Sequence, residues 1–230
     1  DAASRGIRRL YMDHSYFNPG YDGKGWLRIT ANGHTMNRIQ NADNNKWKTY
    51  FKNSNLVMQW KNSGQRGDII LRLPPTNAVA WYFDAHEWLE QTIAQIKQVL
   101  PEEQHDLIKI RRKPNEPIVD KVGNLIRTDK YPEECPLQRD LDRARVVVAY
   151  NSMVAIEATR QGIPVVTSPH SPCAPISFSI KQIINNHMLD VEPNRRALFF
   201  WLSECQYSQK ERLNGKAWRH ILEKQMINGV

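Results

Sequence analysis

Between Asp140 and Val166 the chain compresses a strand, a helix and a second strand into one short stretch, and few folds accept that. Val146–Ala149 is a continuous apolar run of the buried-strand type, and Asn151-Ser152 supplies a helix cap. Met153 to about Gln161 carries the helix, Gly162 closes it, and Ile163–Thr167 is strand again. So short a connection leaves the helix one role, a crossover between parallel strands. The same grammar appears upstream. Ile69–Leu73 reads as a strand stopped by Pro74-Pro75. Asp84 with Glu87 forms a capping box for a helix whose Trp88, Leu89, Ile93, Ile96, Val99 and Leu100 share one face. Pro101 ends that helix, and Leu107–Ile110 is the next strand. The expectation is an α/β fold with a Rossmann-type parallel sheet.

Residues 1–66 read differently. Leu10-Tyr11-Met12 is a short strand emptying into a loop at Asp13-His14, and Asn18–Gly25 is turn-rich. Residues 41–66 are polar, studded with aromatics, and show no clear period. The chain therefore divides into a partial N-terminal lobe (1–66), a Rossmann-like lobe (67–190) and C-terminal helices that brace the two (191–230). Ser208 with Glu211 caps a last amphipathic helix containing Leu213, Trp218, Ile221 and Leu222. Charge follows the same division. Residues 1–66 hold eleven Lys and Arg against four Asp and Glu, a surplus of seven, whereas the remainder exceeds balance by one. A polyanionic partner for the first segment, or simply a solvated basic surface, accounts for that bias.

Several residue types point to chemistry. Asn151 and Ser152 stand at a helix N-terminus after a buried strand, where free N–H groups and the helix dipole favour a phosphate. Glu157 lies one and a half turns further on and suits a ribose hydroxyl. The plainer reading makes Ser152 a cap and Glu157 a solvated carboxylate. Arg111, Arg112 and Lys113 follow a strand, where cations can meet phosphate oxygens; a solvated charge run is the alternative. Asp13-His14 is a candidate general base, the alternative being a loop histidine hydrogen-bonded locally, and the other histidines read as structural. No paired-aspartate metal motif is evident, because Asp140-Leu141-Asp142 precedes a buried strand, so no metal is expected. Cys135, Cys173 and Cys205 lack paired spacing, which suits a reducing, cytoplasmic setting. No apolar run is long enough for a membrane span. The chain opens on Asp1 rather than Met, so preceding residues are expected.

The order strand, Asn-Ser, four residues, Glu-Ala, three residues, Gly-Ile-Pro-Val-Val resembles the donor lobe of GT-B glycosyltransferases. The likeness is greatest to the capsular-polysaccharide and sialyltransferase-like branches and to their phage and bacterial relatives. Asp13-His14-Ser15-Tyr16-Phe17 is similar to their "DHGYF" element, with Ser15 where Gly is usual. Leu73-Pro74-Pro75-Thr76 resembles "PPS", with Thr76 keeping the hydroxyl, and Ile110–Pro114 resembles "VRRKP". Gln206-Tyr207 through Gly215-Lys216-Ala217-Trp218-Arg219 is similar to their closing helix. The resemblance implies a two-lobed GT-B fold, a nucleotide-sugar as co-substrate with no separate cofactor, and transfer without a metal. It implies donor contacts from Thr76, Arg111, Arg112, Lys113, Asn151, Ser152 and Glu157.

In that family the N-terminal lobe takes the acceptor. The basic excess there suits DNA, such as modified bases of a phage genome in its host's cytoplasm. Lys46, Lys48 and Lys52 would meet phosphates while Trp47, Tyr50 and Trp60 stack on bases; a polyanionic glycan fits the same charge. Two other functions fit the sequence: a non-catalytic nucleic-acid or glycan binder with a degenerate sugar-nucleotide lobe, and a sugar-nucleotide epimerase. Oligomeric state is not legible.

Overall fold

The computed structural model describes residues 9–17, 25–31, 44–51, 57–61, 67–74, 85–111 and 136–223. Contacts divide the chain into two units. One combines Asp1–Ser54 with Asn194–Val230, and the other is Asn55–Pro193.

The second unit holds a four-stranded, wholly parallel sheet. Its strands are β3 (Asp68–Arg72), β4 (Ile108–Arg111), β5 (Ala144–Ala149) and β6 (Val165–Thr167), in spatial order β4-β3-β5-β6. Ile69 pairs with Ile108 and with Val146, and Val148 pairs with Val166. Strand alternation then sorts the faces. Ile69, Leu71, Leu73, Val146, Val148 and Val166 form one core with Leu89, Ile96 and Leu100, which belong to or directly follow helix α2 (Ala85–Val99). The opposite side chains, including Ile70, Val147, Ala149 and Val165, are also buried. On that face lie α3 (Leu137–Arg143) and α4 (Met153–Arg160), with Ala155, Ile156, Ala158 and Thr159 buried. Right-handed crossovers demand this division: the chain steps from β3 out to β4, returns past β3 to β5, and continues to β6. A topological switch point therefore lies between β3 and β5. The four strands, α2 and α4 match the sequence expectation to within two residues, whereas α3, which makes Asp140 and Asp142 helical, was not expected.

Residues 57–61 belong to this unit, so the boundary expected after residue 66 falls earlier in the chain. The cause is a backbone strap. Met58 N–H donates to Arg160 O at 2.8 Å, and Lys61 N–H donates to Gly162 O at 2.8 Å. Trp60 Nε1 donates to Leu189 O at 3.0 Å.

The first unit is built on an antiparallel sheet. β1 (Leu10–His14) pairs with β2 (Leu27–Ala31), which pairs with β7 (Gln206–Tyr207). Helix α1 (Asn45–Tyr50) packs on α6 (Arg195–Glu204), where Trp47 stacks on Phe199 with planes 15° apart. Phe17 and Phe51 complete that aromatic core. The C-terminal residues therefore complete the N-terminal segment and do not form a separate region. The helix opened by Ser208 does carry its capping box, yet it ends early. α7 (Gln209–Leu213) and α8 (Lys216–His220) are separated at Gly215, φ 81°. Leu213, expected on an apolar face, is 80% exposed. The second unit also holds a short helix α5 (Asn186–Leu189) and 3-10 helices at Glu102–Leu107, Ala174–Ile176 and Ile180–Gln182.

Candidate functional site

In an open parallel sheet, ligands bind outside the carboxyl ends of the strands at the switch point. Here that edge is formed by Leu73-Pro74 after β3, Tyr150-Asn151-Ser152 after β5, and the turn Ser168–Ser171 after β6. Ser152 takes an extended backbone (φ −137°, ψ 143°), and its Oγ accepts from Val154 N–H at 3.2 Å. This fixes the start of α4 and points its N-terminal dipole at the edge. The turn is tied to β5, since Ser168 N–H donates to Tyr150 O at 3.2 Å. His170 N–H donates to Ser168 Oγ at 3.2 Å. Thr167 N–H donates to Ser177 Oγ at 2.8 Å, whereas Thr167 Oγ1 is buried with no hydrogen-bond partner. Three rings line the edge. Trp88 meets Tyr150 edge-on at 6.0 Å, and Tyr150 meets His170 at 6.1 Å with planes 37° apart. Sequence reasoning assigned none of the three to a site: it placed Trp88 on a core face, where it does pack, took His170 as structural and passed over Tyr150. The position of Tyr150, directly between a buried strand and a capping Asn-Ser, is the signal that could have found it.

The other residues expected at a donor site fare unevenly. Asn151 and Ser152 sit at the edge, half-buried. Arg111 does not present its charge there. Its guanidinium donates to the buried Asp140 carboxylate, because β4's last side chain points to the face that α3 covers. Neighbouring Arg72 turns onto the carbonyls of Leu73 (2.5 Å) and Arg111 (3.5 Å). Glu157 accepts from Arg160 Nη1 at 2.6 Å and Gln161 Nε2 at 3.1 Å, so its bonds run along α4 away from Ser152. Thr76, Arg112 and Lys113 lie outside the described residues.

In the first unit, Asp13 and His14 are adjacent residues of a strand and not a loop, so their side chains point to opposite faces. Asp13 pairs across the ladder with Arg28 at 2.5 Å and accepts its neighbour's N–H, from His14, at 2.7 Å. That geometry gives the carboxylate a cross-strand ion-pairing role and does not bring the two side chains together. Of the expected acceptor residues, Lys48 and Tyr50 are exposed. Lys52 lies outside the described residues. Trp47 is held in the aromatic core, and Trp60 belongs to the other unit, its indole N–H bonded to Leu189 and its ring beside Phe178.

Lys46 is structural. Its Nζ lies 4.0 Å from the Tyr207 ring centroid and 3.4 Å from Glu211. Burial pushes the ammonium below its usual 10.5, against the opposing pull of Glu211 and Glu204. The folded chain therefore releases this proton before the unfolded chain does. The group adds stability as pH rises through the window just below 10.5. Lys46→Ala is expected to lower the unfolding free energy by about 2 kcal/mol, through lost stem packing and cation–π contact. Lys48→Ala should stay within about 0.5 kcal/mol. Urea titration of both variants checks the contrast.

Burial pushes the thiols of Cys173 and Cys205 up to about 12, so neither is a thiolate at neutral pH. Among the described residues, no group of three or more His, Cys, Asp or Glu could hold a metal ion. Among them, too, no helix is long and apolar enough to cross a membrane. No protein-family model matches the sequence, and no curated protein matches it.

Proposed function

We propose that this chain transfers a sugar from a nucleotide-sugar donor, in the manner of a GT-B glycosyltransferase, with the donor nucleotide seated at the switch point of the parallel sheet. The observation that supports this best is the strand order β4-β3-β5-β6, with the Asn151-Ser152 cap of α4 at the crossing between β3 and β5. Phosphate at that cap would meet backbone N–H groups and the positive end of the helix. In this proposal the acceptor belongs to the first unit, where exposed Lys48 and Tyr50 suit a polyanion such as DNA.

Ser152→Asp tests the donor site. Aspartate caps a helix as well as serine, and its charge complements the dipole, so stability should hold. The added carboxylate should repel a phosphate, and nucleotide affinity should fall by about tenfold or more, as expected for loss of a charge-assisted contact. Thermal shift with nucleoside mono- and diphosphates reads both effects; a ligand at one hundred times its Kd adds about 2.7 kcal/mol. Binding that ignores Ser152→Asp would remove the cap from the site. The pairing of Asp13 with Arg28 favours a second reading, a non-catalytic nucleic-acid or glycan binder with a degenerate sugar-nucleotide lobe. Nucleotide release from the sugar donor only when acceptor is present would exclude it.

A further inference from the structure

Resting on the reading that this edge of the sheet takes a nucleotide, we infer that Trp88, Tyr150 and His170 form its nucleobase subsite. Tyr150 directly continues the alternation of Val146 and Val148, so its side chain emerges on the α2 face of the sheet, beside Trp88 in the first turn of α2. Ser152 opens α4, which covers the opposite face. The switch point thus has an aromatic side and a helix-cap side, and a nucleotide lying across it has one flat apolar end and one anionic end. The rings are not fully buried. Trp88 and Tyr150 are half-buried, and His170 is exposed. His170 is positioned from its backbone: the turn hangs on Tyr150 O through Ser168 N–H, and Ser168 Oγ receives the His170 N–H. An imidazole held out beside a phenol, their planes 37° apart, offers a shallow stacking wall, and Trp88 stands nearly perpendicular to it at 84°. Stacking on such a wall tolerates any base, because every base has a π-face.

The test compares ligands with and without a base on the intact chain. Isothermal titration of CMP, UMP, UDP, GDP and ADP is set beside ribose 5-phosphate and inorganic pyrophosphate. Tyr150→Leu and His170→Ala are each expected to weaken the best nucleotide by about tenfold. They should leave ribose 5-phosphate and pyrophosphate unchanged, and Tyr150→Phe should restore nucleotide affinity. Trp88 packs on the core, so half-buried Tyr150 and exposed His170 carry the test. If nucleotides bind and neither variant weakens them, the base subsite is wrong and the nucleotide reading survives. Base-free ligands binding as tightly as nucleotides would likewise overturn the base subsite alone. If no nucleotide binds, both are overturned.

Discussion

Gly162→Ala is expected to lower the unfolding free energy by about 3–5 kcal/mol, a large loss for one methyl group. Gly162 is the left-handed residue (φ 77°) that ends α4. Its N–H donates to Thr159 O at 3.2 Å and the Ile163 N–H donates to Ala158 O at 2.9 Å, the paired bonds of a Schellman cap. A Cβ there would overlap the Gln59 carbonyl and lie 2.8 Å from Trp60 Cα. These are backbone atoms of the strap over α4 and cannot swing aside. The strap would lift, losing its two main-chain hydrogen bonds and the indole bond of Trp60. Gly215 provides the control. It has the same hand (φ 81°), but nothing lies within 4 Å of an added Cβ. Gly215→Ala should therefore cost only the conformational strain, about 1–2 kcal/mol. Urea denaturation of both variants separates the terms, and equal losses would mean that the strap yields freely.

Asp140→Ala should destabilise the second unit by about 3–5 kcal/mol, because it leaves the Arg111 guanidinium buried opposite an empty position. Asp140 is 2% exposed and Arg111 is 8% exposed. Replacing both partners removes the stranded charge, so Arg111→Met with Asp140→Leu should recover most of the loss. A double-mutant cycle by chemical denaturation measures this coupling. Full stability in Asp140→Ala would mean that Arg111 turns outward easily, and would return it to the candidate phosphate ligands.

Much of the second unit was legible because its signals are local. The apolar run 146–149, the Ser152 cap and Gly162 each act within a few residues, and together they define one crossover. Arg111 was not legible in the same way. A cation after a strand looks identical whether it meets a ligand or Asp140, and only the position of α3 decides between them. Trp60 and Lys46 show the same limit, each tied down by residues far along the chain. Helix α1 has too few turns to show a period and is held by the stacking of Trp47 on Phe199. The break between α7 and α8 follows from Gly215, yet the apolar spacing of Leu213, Trp218 and Leu222 across it mimics one continuous helix. In the antiparallel sheet β1 was expected, whereas β2 was passed over and β7 is only two residues long and far along the chain.

That two-residue strand bears on the order of events during synthesis. Ile29 N–H reaches Cys205 O at 3.0 Å, and Phe17 N–H reaches Gln206 Oε1 at 2.7 Å. β1 and β2 alone make only a two-stranded ribbon, which is marginal in water. The parallel-sheet unit is one continuous segment and can close its core while translation is still in progress. The early strands, by contrast, must wait through its whole length for their partners. During that interval Ile29, Trp47 and Phe51 lack the α6–β7 surface that later buries them. Until residues 195–207 emerge, the parallel-sheet unit would therefore be tethered to an unfinished first unit whose apolar side chains are still uncovered.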